Sequence, residues 1–204
     1  PAPIDSNFVS DDARIAIAKA EVDAMLAAMP GLAAIHPIDA VAPDEEIMLL
    51  EHSFTSTVPE CYACIPEYGE ALYAQDPSAS YNYLHKMLQF LQWQKRQKGN
   101  QGLRWLLKTP HHLHYPQQLF QTFPDAVVIQ THRHPCEVMP SYASMMCELA
   151  APFTDSLNKQ TMAAHWVKKW RQGLAATQHY RDMHPEAPYL DLQFQASIRE
   201  PEAV

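Results

Sequence analysis

Apolar residues recur along this chain with two different periods, and the change between them falls near residue 100. Before that point the spacing is helical, with three or four positions from one apolar residue to the next. Ile15, Ala18, Val22, Met25 and Leu26 form one such stripe. They predict a helix capped by Asp11 or Asp12 and ended by Pro30-Gly31. Pro43-Asp44-Glu45-Glu46 reads as an acidic helix start, with Ile47, Leu50 and Phe54 on its apolar side. Pro59, Pro66 and Pro77 punctuate further short helices. A longer one over residues 80–97, marked by Tyr83, Met87, Phe90, Leu91 and Gln94, stops at Gly99-Asn100.

Beyond residue 100 short apolar runs alternate with amphipathic stretches. Strands are predicted over 104–109, 126–132 and 189–194, with helices over 112–123, 135–149 and 158–184. Pro140 is predicted to kink the second of these helices. Strand, helix, strand with a short crossover implies parallel pairing in a right-handed unit. The expected fold is α/β, a partial parallel sheet flanked by helices. It is read as one domain over 1–204, with 1–100 mainly helical and 101–204 carrying the strands.

Composition narrows the partners. The 204 residues suffice for one core, and 23 acidic against 15 basic residues give a net charge of −8. That balance argues against general affinity for nucleic acid or anionic membrane. No apolar run has the length of a membrane span, and there is no basic-then-apolar leader. Four cysteines do not describe a disulfide framework. Cys61 and Cys64 share a helix face as packed thiols, which fits a reducing, cytoplasmic setting. Histidine is the oddity: 11 in all, with five between His111 and His134.

In a parallel sheet, ligands bind outside the carboxyl ends of the strands. Lys108 and Arg133 are predicted at two such ends, each followed by proline and a helix. Arg133, the helix N–H groups and Ser141 eight residues on make a phosphate site. The alternative is two surface charges where strands reach water. For the histidines the rival is a metal, which a neighbouring Arg133 and the lack of interleaved Asp or Glu disfavour. His114, His165, His179 and His184 are read as packed or surface residues, and Glu46 as a favourable charge at a helix start.

The run Leu106-Leu107-Lys108-Thr109-Pro110-His111, followed by Arg133 and Ser141, resembles sulfotransferases that use 3′-phosphoadenosine 5′-phosphosulfate (PAPS). The order and spacing agree over roughly residues 104–149. His36-Pro37 and Pro43-Asp44-Glu45-Glu46 are similar to the bacterial branch. The resemblance implies a P-loop-related fold with PAPS as co-substrate, and Arg133 and Ser141 on its 3′-phosphate. It places Lys108 at the sulfuryl group, a nearby histidine as general base, and Phe194 beside the adenine. Phe194 stands seven residues before Pro201, where many members carry Tyr. Two departures stand out. Pro110 intervenes before His111 and His112, and the five glycines are scattered, with no Gly/Ser/Thr-rich phosphosulfate loop. The chain is accordingly read as an internal fragment.

Sulfuryl transfer is an in-line displacement with charge spread over peripheral oxygens. A cation such as Lys108 stabilises that charge, and a neutral imidazole takes the acceptor's proton. The sulfuryl group carries less charge than phosphoryl, so no metal is called for. A kinase would want an acidic magnesium ligand at a strand end, and none is present. The expected acceptor is a small-molecule hydroxyl or amine. A non-catalytic nucleotide-binding module stays open as the other reading. His111 is the first choice of base, being nearest Lys108; His112 points about 100° away once the helix has begun. Glu46 and His52 are next in line. Acceptor identity and oligomeric state are not legible.

Overall fold

The computed structural model describes residues 13–97, 99, 102 and 104–199. The expected cap at Asp11 or Asp12, Asn100 and Pro201 lie outside the described residues. Two compact units divide the chain. The first comprises the described residues up to Pro110 together with Glu148–Asp155; the second comprises His111–Cys147 and the residues from Ser156 onward.

The first unit is helical: α1 (Ala13–Ala28), α2 (Leu32–Ile35), α3 (Ile47–Leu50), α4 (Val58–Tyr62), α5 (Pro66–Ala74) and α6 (Ser78–Gln97). The α1 stripe is half-buried at each of its five positions, with exposed residues between them. Leu32, Leu50, Tyr81 and Leu84 are sealed from solvent and form the core. Proline opens α5 and is the second residue of α4, where its missing N–H costs nothing. The buried arc of α6 runs through Tyr81, Leu84, Leu88 and Gln94. It is rotated from the expected stripe, so that Phe90 is exposed and stacks on Trp93. Phe54 is also exposed, in a left-handed conformation just past a 3-10 turn, and not on the apolar side of that helix.

Gly69 of α5 lies against the fully buried Glu60 carboxylate; a Cβ there would collide with Oε1. A methyl group there would push the buried Glu60 carboxylate out of its place in the packed interior, so Gly69→Ala is expected to destabilise the protein by about 1–3 kcal/mol. Chemical denaturation checks this through a fall in midpoint at unchanged slope.

The second unit holds the sheet: α7 (Pro116–Thr122), β1 (Val128–His132), the first part of α8 (Pro135–Ala150), α9 (Lys159–Met183), β2 (Tyr189–Gln193) and α10 (Phe194–Arg199). β1 and β2 are parallel, with Val128 opposite Tyr189 and His132 opposite Gln193. Parallel pairing is therefore present, as a sheet of two strands among the described residues, but it joins the second and third expected strands and not the first and second across the short crossover. α9 starts where Asn158 accepts a hydrogen bond from the Thr161 N–H, which satisfies one of the open amides of the first turn. It turns Met162, Trp166, Lys169, Gly173 and Thr177 inward at helical spacing and packs on α7. The sheet face bearing Ile129 and Leu190 is open, at 57% and 58% exposure.

Three expectations change here. Residues 104–109 are not a strand. The Lys108 N–H donates to the Glu46 carboxylate at 2.8 Å instead of to a neighbouring strand, and without ladder partners an extended run is not a strand. The helix expected over 112–123 divides into a 3-10 turn, Pro110–His114, and α7. The break falls before Pro116, whose ring disfavours helical geometry in the preceding residue. Phe194 opens α10 directly after β2; it does not end the strand.

Candidate active site

Arg133 leaves the carboxyl end of β1 just before α8 begins. Its Nε donates to Glu137 Oε2 at 2.8 Å, one turn on. Its guanidinium carbon lies 5.1 Å from the centroid of the Phe194 ring, within cation–π range. The fold thus brings together two of the sequence-selected residues. The terminal nitrogens of Arg133 make no hydrogen bond among the described residues. Ser141 follows Glu137 by four residues on α8, so the two share a helix face. It is exposed.

The helix amides expected in this site are already engaged. His134 caps α8: its Nδ1 accepts from the Cys136 N–H at 3.2 Å. Its carbonyl accepts from the N–H groups of Glu137 and Val138 at 2.9 and 3.2 Å. Pro135 has no N–H to offer. The partial positive charge of the helix end remains, but the amides of its first turn are not open donors. α8 continues through Pro140.

One feature had no sequence signal. Asp191 on β2 accepts from His132 Nε2 at 2.6 Å and from both terminal nitrogens of Arg181 on α9, at 2.8 and 2.5 Å. Arg181 also reaches Gln130 on β1 at 3.1 Å. The Arg181 guanidinium, then His132, hold the Asp191 carboxyl well below the usual carboxylate range. Only the folded arrangement of α9, β1 and β2 brings the three together.

In the first unit, Glu46 is buried and its carboxylate holds the Lys108 backbone. Glu45 pairs with the Lys108 ammonium, whose side chain is 74% exposed. The acidic pair expected to favour a helix start is thus an anchor for Lys108 at two points. His52 is exposed on a 3-10 turn.

The histidines of the 3-10 turn differ in burial. His111 is 4% exposed and packs on the Tyr115 ring at 5.0 Å, whereas His112 is half-buried. That order is the reverse of the one expected for a reactive His111 and a packed His112. Burial first, then His112, His114 and Lys169, lower the His111 pKa well below its ordinary value. Burial, then Lys169, brings His114 to about 4. His114 is wedged against Gly173 of α9.

Both histidines are neutral in the fold and take up protons on unfolding below their ordinary pKa of 6.5. Their contribution is therefore complete above pH 6.5 and is lost as pH falls toward 4. For His114 the loss is on the order of 2–3 kcal/mol once pH passes its folded pKa. Melting temperature should fall across this window, and His114→Gln should flatten the profile.

Cys147 is buried, Cys61 is half-buried, and Cys64 and Cys136 are exposed, so the packed-thiol expectation for Cys61 and Cys64 fails for Cys64. Cys64 lies beyond the end of α4, which removes the shared helix face. Among the described residues no three His, Cys, Asp or Glu side chains converge as metal ligands do.

This architecture, helices around a small parallel sheet with an arginine at a strand end, is a sulfotransferase fold. Residues 5–204 match the model of the sulfotransferase family, and the chain belongs to that family. The crystal structure of sulfotransferase STF1 from Mycobacterium tuberculosis H37Rv is similar, with 27% sequence identity and a TM-score of 0.80. The match covers 100% of this chain and 54% of that one, so the chain spans about half the length of STF1. No curated protein matches it.

Proposed function

We propose that this protein belongs to a PAPS-dependent sulfotransferase that transfers a sulfuryl group to a hydroxyl or amine of a small-molecule acceptor. The observation that carries the reading is the Arg133 corner: a guanidinium, held at a strand end, whose outer edge makes no hydrogen bond among the described residues, and an exposed serine on the helix that follows. A planar two-nitrogen edge is matched to a phosphate. PAPS, when bound, supplies a sulfuryl group activated as an anhydride with phosphate. Arg133 and Ser141 would hold its 3′-phosphate.

Lys108 would face the charge that develops during transfer. Glu45 pairs with its ammonium, and Glu46 fixes its backbone. The acceptor's proton would pass to an imidazole, and the half-buried His112 is better placed to receive it than the enclosed His111. The free thiols, two of them exposed, fit a reducing cytoplasmic setting.

Calorimetry with two nucleotides tests the reading. Adenosine 3′,5′-bisphosphate should bind far more tightly than adenosine 5′-phosphate. Equal affinities would mean that the 3′-phosphate meets no site.

A further inference from the structure

We infer that Glu137 and Phe194 are positioning residues for Arg133, a two-sided clamp that presents the outer edge of its guanidinium to the 3′-phosphate. The inference rests on the donor reading above and goes beyond it, because it gives Phe194 a task other than stacking on adenine.

A free arginine side chain samples many rotamers, and fixing one in a complex costs affinity. Here the fixing is done by the protein. Glu137 takes Nε from one side at 2.8 Å, and the Phe194 ring lies 5.1 Å from the guanidinium carbon. Each partner is itself held. The Glu137 backbone is bonded to the His134 carbonyl in the first turn of α8. Phe194 follows directly from β2, whose ladder with β1 sets its distance from Arg133. What remains is the pair of terminal nitrogens, which make no hydrogen bond among the described residues. The Glu137 charge would disfavour a nearby phosphate if it acted alone. Its pairing with Nε and its half-exposed position screen that repulsion.

The readout is the ratio of affinities for adenosine 3′,5′-bisphosphate and adenosine 5′-phosphate, by calorimetry on the purified protein. Glu137→Ala should lower the ratio about three- to tenfold, the size of one ordered side chain. Glu137→Gln keeps an acceptor for Nε and should restore the ratio to within about twofold of the parent. Phe194→Leu should lower the ratio about fivefold while adenosine 5′-phosphate binds as before. An adenine-stacking role would instead weaken both nucleotides together and leave the ratio unchanged, which overturns the clamp. A Glu137→Ala variant with an unchanged or higher ratio overturns it too, the higher value marking Glu137 as a competitor of the phosphate. Arg133→Ala separates the two levels. If it leaves the ratio intact, the phosphate reading fails and the clamp with it. If it abolishes the ratio while the clamp variants do not, the clamp alone is wrong.

Discussion

Replacing His112 with alanine is expected to cut sulfuryl transfer by about 10²–10⁴-fold, the usual share of a positioned general base. Donor affinity should stay near the parent value, since the base meets the acceptor and not the nucleotide. His111→Ala should act through stability instead. It removes an enclosed ring packed on Tyr115 and leaves a cavity, at a cost of about 2–4 kcal/mol. Steady-state turnover and thermal melting on both variants separate the two cases. A His111 variant that melts normally but does not turn over would reverse the assignment. If both variants stay active, the proton goes elsewhere, with Glu46 and His52 the next residues to replace.

The second large effect belongs to Arg133. Arg133→Ala should weaken adenosine 3′,5′-bisphosphate by about 2–3 kcal/mol, some 30- to 150-fold. The lower part of the range for charge-assisted contacts applies because the side chain is 40% exposed. Adenosine 5′-phosphate should bind almost unchanged, and so should the melting temperature, since the lost contacts are an exposed ion pair and one ring face. A parallel loss for both nucleotides would indicate disturbed folding and not a lost phosphate contact.

Periodicity made the helices legible. The stripe of α1, the prolines at α4 and α5, and the extent of α9 are local signals that survive into the fold. The strand ending at Arg133 was legible for the same reason. The failures share another cause. Whether residues 104–109 form a strand depends on ladder partners, and the partner of the Lys108 amide is a carboxylate 62 positions away. The burial of His111 below His112 depends on where Tyr115 and α9 lie, which one period cannot show. The capping of α8 by His134 has no sequence signal because imidazole is an uncommon cap, and the amides that look open at that end are bonded. The Asp191 cluster joins three elements through long-range charge pairing, and nothing local marks it.

The most direct test is turnover. The purified protein, dialysed against chelator, is given PAPS and a panel of alcohol, phenol and amine acceptors, and release of adenosine 3′,5′-bisphosphate is followed. The expected result is acceptor-dependent release with one sulfated product per nucleotide, undiminished by the chelator. Magnesium-dependent consumption of ATP with PAPS untouched would contradict it, as would activity that disappears together with stoichiometric bound zinc.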